Sequence, residues 1–272
     1  MKRLNLVRLP LLLLFLSILT IISANAQVMS LKIPIGEASG IACLPNGQFL
    51  IVDDEEGVFF FDPQKTRVWP ALSSQQYEFL DDLEGIAIST DQKSLYLLSE
   101  NGGRIFVCDI VTNQQEIELK SPKLLGSLTK IGSVNNKGYE GISIINLAGK
   151  DHLLAAHQDK PAALAIFSLP GLEKITSCRL PGELEDLLKN LSDLTVDLRN
   201  GHILMISGKS RRIVEVKPKI GKDIEELEII STTRISGNLS GKPEGICFDA
   251  YERLVVVTDA SGDEGDFIRF DK

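Results

Sequence analysis

The sequence predicts an all-β protein with the fold of a five-bladed β-propeller, and a repeated pattern is the main basis for that prediction. Five similar segments begin at residues 37, 82, 138, 190 and 242. Each segment starts with a short polar or acidic stretch, followed by a strand in which apolar residues alternate with small or polar ones. Turns then lead into a second, more apolar strand and into a third. Repeats of roughly 45 to 55 residues that carry four strands are typical of propeller blades.

The two ends of the chain predict how the propeller closes. The first four repeats add a fourth, more polar strand, whereas the fifth repeat stops after its third strand. A spare strand at 28–35 precedes the first repeat. Pairing this N-terminal strand with the last blade would close the ring without an open sheet edge. We therefore predict one domain over 27–272, in which Cys43 and Cys247 come near each other.

Residues 1–26 have the pattern of a secretory signal peptide. Three basic residues precede an apolar run at 11–22, and the small residues 23–26 follow it. The run is about 12 residues long, shorter than the roughly 20 that a membrane-spanning helix needs. We expect an exported protein, periplasmic or extracellular. The alternative is an uncleaved N-terminal anchor, which is the one way in which we expect contact with a membrane.

Composition narrows the function. The chain has 29 basic and 37 acidic residues and a formal charge of −8, which becomes −11 without the three basic residues of 1–26. Nucleic-acid binding is not expected, because phosphate neutralisation by Lys and Arg supplies most of that affinity. The four cysteines lie far apart in apolar strands, which favours buried thiols over disulfides. We expect a monomer.

The repeat pattern predicts that one end of the propeller channel is acidic. In each blade the chain enters the innermost strand and leaves the second strand at the same end. The acidic residues at these positions are Glu37, Asp53, Asp54, Asp82, Glu84, Glu100, Glu140, Asp159, Asp193, Glu244 and Asp259. The opposite end has a mixed set: Asn46, Lys93, Lys150, Arg199 and Arg253.

Carboxylates that converge in this way repel one another and cannot all stay ionised without a cation. An oxygen-rich cluster without histidine suits a hard cation, and a flexible arrangement of several carboxylates suits Ca²⁺ better than Mg²⁺. Two interpretations remain open. The carboxylates either hold a metal ion, or they accept hydrogen bonds from the backbone of neighbouring blades as structural clasps.

The same segments resemble a known family. The motifs E-x-S-G, D-x-E-G, G-Y-E-G, L-S-D-L and K-P-E-G-I, in this order, are similar to those of the SdiA-regulated domain family. These are exported bacterial propellers related to NHL-repeat proteins and distantly to phytase-like esterases. The resemblance extends from about Ile33 to Phe270. It implies a five-bladed propeller with a channel calcium site, which maps to Glu84, Glu140, Asp193 and Glu244. Asp193 stands where the family usually has glycine.

Two classes of function remain. The first is an exported, calcium-dependent module that binds a small molecule or a protein partner at the acidic end of the channel. The alternative is a metal-dependent hydrolase of phosphate or lactone esters, with Lys209, Arg104 and Lys160 as candidate substrate-holding groups and His157 as a candidate base. Histidine is scarce, with three residues in the chain, which favours binding. Gly208-Lys209-Ser210 is interpreted as a loop, because no helix follows it to receive phosphate.

Overall fold

The computed structural model describes residues 28–80, 82–113, 116–131, 138–158 and 161–270. The predicted signal peptide at 1–26 lies outside these residues, as do Asp159 and Lys160. Within the described ranges, no helix combines the length and apolar character that crossing a bilayer requires.

Five antiparallel sheets follow one another along the chain and form a five-bladed propeller, as predicted. The N-terminal strand is β1 (Val28–Ile33). Blade one consists of β2 (Ala38–Cys43), β3 (Phe49–Asp53), β4 (Gly57–Asp62) and β5 (Arg67–Ser73). Blade two consists of β6 (Leu83–Ile88), β7 (Ser94–Ser99), β8 (Arg104–Asn113), β9 (Glu116–Leu119) and β10 (Lys123–Ser127).

Three further blades complete the ring. Blade three has β11 (Tyr139–Leu147), β12 (Lys150–His157), β13 (Ala163–Ser168) and β14 (Lys174–Arg179). The short helix α1 (Gly182–Leu188) leads to blade four, with β15 (Asp193–Asp197), β16 (His202–Ser207), β17 (Arg212–Ile220) and β18 (Ile224–Arg234). Blade five has β19 (Lys242–Phe248), β20 (Leu254–Asp259) and β21 (Gly265–Phe270).

The predicted closure is confirmed. Strand β1 pairs antiparallel with β21, from Val28 opposite Phe270 to Ile33 opposite Gly265, and so becomes the fourth strand of blade five. Ile33 is buried in a cluster shared by blades five and one, together with Phe49 and Phe267. The ring is therefore closed by main-chain hydrogen bonds and by apolar packing across the same boundary.

Blade two differs from the prediction in its outer strand. The sequence predicts the fourth strand of this blade at 116–120, but in the structure β9 (Glu116–Leu119) pairs with the far end of β8. Strand β10 pairs with Arg104–Val107, the first part of β8, and takes the fourth position of the sheet. The reason is the length of β8, whose ten residues leave room for two successive partners.

The innermost strands pack with almost no space between their backbones. A Cβ atom added to Gly245 would lie 2.9 Å from the Cα atom of Gly40 in the neighbouring blade. A Cβ atom on Gly141 would lie 2.7 Å from the Cα atom of Asp193. The glycines at the start of these strands are therefore required by interblade contact, and they bring the adjoining side chains to one end of the channel.

The four cysteines are free thiols in the structure, in agreement with the prediction. Cys247 is buried, and the half-buried Cys43 packs against the same apolar cluster between blades five and one. Burial raises the pKa of the Cys43 thiol to about 12. Burial likewise raises the pKa of Cys247. Both thiols are consequently poor nucleophiles at neutral pH.

Candidate functional site

A cavity of about 670 Å³ opens at the predicted acidic end of the channel. We call this cavity the acidic mouth. Residues from all five blades line it: Glu37, Ser39, Asp54, Glu55, Glu84, Glu140, Gln158, Asn190, Gly208, Lys209, Lys242, Glu244, Asp259 and Ser261. Seven of these described residues carry a carboxyl group and two carry an ammonium group. The mouth is strongly acidic, with its two lysines on blades four and five.

A recurring backbone hydrogen bond positions the side chains of the mouth. In three blades, the N–H group that follows the second strand donates to a carbonyl that precedes the innermost strand of the same blade. These bonds join Asp54 to Glu37 at 3.2 Å, Glu100 to Asp82 at 2.9 Å and Gln158 to Gly138 at 3.3 Å. In blade five, the Ala260 N–H donates instead to the Gly36 carbonyl at 2.7 Å, just before the first strand of blade one. The Asp82 N–H also donates to the Asp54 carbonyl at 3.0 Å, which links blade two to blade one.

This link produces the tightest carboxylate cluster among the described residues. One carboxylate oxygen from each of Asp54, Asp82 and Glu84 lies within 4.8 Å of the others. All three side chains are half-buried, so water screens their repulsion only in part. We call these three residues the carboxylate triad.

The titration behaviour of the triad reflects this crowding. Burial, and then the charges of Glu140 and Asp54, raise the pKa of Glu84 to about 10. Burial and the charge of Asp82 raise the pKa of Asp54 to about 6. Without a compensating cation, Glu84 therefore holds a proton at neutral pH.

The four predicted metal ligands occupy different places. Glu84 belongs to the carboxylate triad, and Glu140 and Glu244 line the acidic mouth beside it. Glu140 is buried and contributes to the raised pKa of Glu84. Glu244 packs against Gly208, where an added Cβ atom would lie 2.5 Å from its Oε1 atom.

Asp193 does not line the acidic mouth and is buried among residues of three blades. Its Oδ2 atom accepts a hydrogen bond from the Ile246 N–H at 2.9 Å, and its backbone packs against Gly141. Its Oδ1 atom is buried and has no hydrogen-bond partner among the described residues. Burial raises the pKa of Asp193 well above its usual range. In this structure Asp193 makes the contact expected of an interblade clasp.

The sequence predicts Asp54 and Asp82 at the acidic end of the channel, but neither belongs to the predicted ligand set. Their signal in the sequence is positional. Asp54 follows the second strand of blade one, and Asp82 precedes the first strand of blade two. In adjacent blades, the position after a second strand and the position before a first strand come together. The repeat motifs, by contrast, align only the residue before each inner-strand glycine.

The candidate substrate-holding and acid–base residues are also separated. Lys209 lines the mouth, whereas the guanidinium of Arg104 donates to the Asn101 carbonyl at 2.9 Å and lies over the ring of Phe106. His157 is buried with its Nδ1 atom donating to the Pro161 carbonyl at 3.0 Å. It lines a separate cavity of about 260 Å³, which also contains Asp82 and Glu100.

The carboxylate triad fits a hard divalent cation. Its donors are all carboxylate oxygens, which Ca²⁺ prefers. Asp54 and Asp82 lie outside the regular strands, where the irregular coordination typical of Ca²⁺ is easily accommodated. A bound cation would offset the repulsion that raises the pKa of Glu84 and Asp54. The chemistry available to the mouth is therefore cation binding and, through the cation, attraction of oxygen-bearing groups.

Solved structures with similar folds are propellers of varied description. The chain aligns with a luciferin-regenerating enzyme at 13% identity over 91% of this chain and 96% of that one, with a TM-score of 0.55. It aligns with a glucose dehydrogenase at 10% identity over 90% and 99%, with a TM-score of 0.58. A putative glucose dehydrogenase from Thermus thermophilus aligns at 10% identity over 90% and 100%, with a TM-score of 0.54.

At these identities the structural similarity supports the propeller fold alone. Among curated protein sequences, none matches the chain. The sequence profile of the SdiA-regulated family matches residues 70–261, which is more than half of the chain. This match agrees with the resemblance in the five repeat motifs, and the chain belongs to the SdiA-regulated family.

Proposed function

We propose that this chain is an exported calcium-binding propeller module that holds a small-molecule or protein partner at its acidic mouth. The observation that carries the proposal is the carboxylate triad of Asp54, Asp82 and Glu84, whose oxygens lie within 4.8 Å of one another. Export is supported by the signal-peptide pattern of residues 1–26.

The electrostatics of the mouth favour a bound cation over solvated carboxylates. Glu84 is half-buried among other carboxyl groups. Its burial, together with the charges of Glu140, Glu100 and the two other triad members, raises its pKa. Among the described residues, no basic side chain forms a salt bridge with Asp54 or Glu84. A divalent cation supplies the opposite charge that the described residues around these two carboxyl groups do not.

Within this proposal, Asp54, Asp82 and Glu84 hold the ion, and Glu140 adds negative charge next to them. The predicted set of Glu84, Glu140, Asp193 and Glu244 stays a prediction, and Glu84 is common to both sets. When bound, the ion supplies a Lewis-acidic centre for oxygen ligands at the channel opening. His157 is buried, and its Nδ1 atom donates a hydrogen bond to the Pro161 carbonyl, which favours binding over ester hydrolysis.

Calorimetric titration of Ca²⁺ into chelator-treated protein tests the proposal. We expect a saturable heat and a rise in melting temperature. Glu84→Gln keeps the size of the side chain but removes its charge, and it should weaken Ca²⁺ binding at least tenfold. The matched control is Glu228→Gln, an exposed residue on the outer strand β18, which should bind Ca²⁺ like the wild type.

Absence of heat together with an unchanged melting temperature would overturn the cation proposal. Equal Ca²⁺ affinity in the Glu84→Gln variant would place the ion elsewhere. Turnover of phosphate or lactone esters in the presence of Ca²⁺ would replace binding with the hydrolase alternative.

A further inference from the structure

Two lysines from neighbouring blades line the acidic mouth. Lys209 belongs to the turn between β16 and β17 in blade four, and Lys242 begins β19 in blade five. A Cβ atom added to Gly208 would lie 3.1 Å from the Cβ atom of Lys242, so the backbone next to Lys209 packs against the stem of Lys242. The close approach of Gly208 to blade five thus brings the two lysine positions to the same part of the cavity wall.

These ammonium groups are not used to neutralise the mouth. Among the described residues, neither Lys209 nor Lys242 forms a side-chain hydrogen bond or a salt bridge, although seven carboxyl residues line the same cavity. Both side chains are exposed and can extend into the opening. Adjacent like charges repel, so an anion between them would be favoured.

Asn190 adds a neutral donor to the same wall. Its Oδ1 atom accepts hydrogen bonds from the Ser207 hydroxyl at 2.8 Å and from the Lys209 N–H at 3.2 Å. These two bonds fix the orientation of the amide, and its NH₂ group makes no hydrogen bond to another described residue. Asn190 also lines the mouth, so the wall offers an amide donor beside the two lysines.

The turn itself does not form a phosphate-binding backbone loop. The Gly208 N–H donates to the Ser192 hydroxyl at 3.1 Å, and the Ser210 N–H donates to the Ser207 hydroxyl at 3.1 Å. The Lys209 N–H is bonded to Asn190, so all three consecutive N–H groups have side-chain partners. Recognition of an anion at this wall therefore falls to the side chains of Lys209, Lys242 and Asn190.

The arrangement of the blades sets this basic wall opposite the carboxylate triad. The triad lies at the junction of blades one and two, and blade four lies on the opposite side of the ring of five blades. Without a cation, the carboxyl groups of the mouth repel anions. With a divalent cation on the triad, an oxyanion would contact positive charge on both sides of the cavity.

We propose that the partner held at the mouth is a small, multiply charged oxyanion of the phosphate class, bound between the cation and the Lys209–Lys242 wall. This inference rests on the proposed calcium site and specifies the chemistry of its ligand. Lysine is a good phosphate binder as a point charge, and the cavity volume of about 670 Å³ leaves room for an organic group attached to the oxyanion.

Calorimetry with inorganic phosphate as the probe tests the inference. Phosphate is titrated into calcium-loaded protein, below the concentration at which calcium phosphate precipitates, and into chelator-treated protein. We expect saturable binding to the calcium-loaded protein alone. The double variant Lys209→Met/Lys242→Met should weaken phosphate binding at least tenfold and leave a functional calcium site. The control is Lys93→Met, an exposed lysine at the opposite end, which should bind phosphate like the wild type.

The outcomes separate the two proposals. Normal Ca²⁺ binding without phosphate binding overturns the oxyanion inference and leaves the calcium proposal intact. Phosphate binding that is unchanged in the double variant, or that persists with chelator, also overturns the inference. Equal affinity for acetate would show that a multiply charged anion is not selected. Absence of Ca²⁺ binding overturns both proposals.

Discussion

The two ends of the propeller channel both carry buried or half-buried carboxyl groups, but these groups have different surroundings. At the end opposite the acidic mouth, Asp197 binds Arg199 at 2.6 Å, and Arg199 also binds Glu252 at 2.6 Å. Hydrogen bonds from Arg199 hold the pKa of Asp197 below its usual range. At the acidic mouth, by contrast, the pKa values of Asp54 and Glu84 are raised.

The difference depends on which part of the chain supplies the charged neighbours of each carboxylate. Asp197 and Arg199 belong to the same turn, as do Asp249 and Arg253, so the local sequence supplies the opposite charge. The triad assembles from separate blades, and the charges that shift the pKa of Glu84 all belong to other carboxyl groups. At one end the local chain supplies the opposite charge, whereas the neighbours that shift the pKa of Glu84 add like charge, which is why we propose a cation at the acidic mouth.

The largest expected effect on stability concerns the packing of the innermost strands, which lie between the two ends of the channel. Gly245→Ala places a Cβ atom 2.9 Å from the Gly40 Cα atom and should lower the free energy of unfolding by about 3 kcal/mol or more. Gly182→Ala is the control, because nothing lies within 4 Å of its Cβ position, and its effect should stay within about 0.5 kcal/mol. Urea denaturation measures both. Equal stability of the two variants would contradict the close interblade contact.

The next effect tests the crowding of carboxyl groups at the mouth. In chelator-treated protein at pH 8, Glu84→Gln should raise the free energy of unfolding by about 1–3 kcal/mol, because it removes a carboxyl group that burial and its neighbours disfavour as a charge. The same variant should lose the calcium-dependent rise in melting temperature. A destabilised variant in the absence of cation would show that Glu84 is compensated by the protein alone.

At the opposite end of the channel, removal of the basic partner should change the free energy of unfolding in the opposite direction. Arg199→Met should lower the free energy of unfolding by about 1–2 kcal/mol at pH 7, because the buried Asp197 loses its charged donor. Because the pKa of Asp197 is lowered in the folded state, its ionised form stabilises the protein above the unfolded value of 3.8. This stabilisation is lost as pH falls through the folded-state pKa. The cost of Arg199→Met should therefore shrink as pH falls below the unfolded value of 3.8, and a pH-independent cost would argue against the ion pair.

The smallest effect is the pH dependence contributed by Asp54. Its folded-state pKa of about 6 exceeds the unfolded value of 3.8, so its contribution is fully present below the lower value and is lost as pH rises through the upper one. Cation-free protein should lose stability between these pH values. A rise from 3.8 to about 6 corresponds to roughly 3 kcal/mol for an isolated group, but Asp54 titrates together with neighbouring carboxyl groups, so Asp54→Asn should reduce the loss by about 1 kcal/mol. Thermal melts across this pH range measure it. An unchanged slope in the variant would assign the loss to other groups.

Several features of the fold were predictable because they depend on local pattern. The five repeats, their turn residues and the missing fourth strand of the last repeat are visible in the order of residues, and the structure confirms the blades and the pairing of β1 with β21. The outer strand of blade two was predicted wrongly. The long strand β8 accepts two partners, and local pattern does not show which of them pairs with the first part of β8 and so continues the four-stranded sheet.

The site was predictable only as a region. The sequence indicated that Glu84, Glu140 and Glu244 share one end of the channel, and all three line the mouth. It did not distinguish Asp193, whose side chain is buried between blades, from residues that face the cavity. That distinction depends on the close packing of Asp193 against Gly141, where an added Cβ atom would lie 2.7 Å from the Asp193 Cα atom, and this is a property of blade packing.

The amino-acid sequence by itself determined the number of blades, the strand that closes the ring and the end of the channel that is acidic. These follow from strand alternation and from positions within one repeat, which short-range geometry controls. Tertiary structure decided which carboxylates come together and that Lys209 and Lys242 line the same cavity. Such contacts join residues of different blades, and their distances are set only when the ring closes and the inner strands pack together.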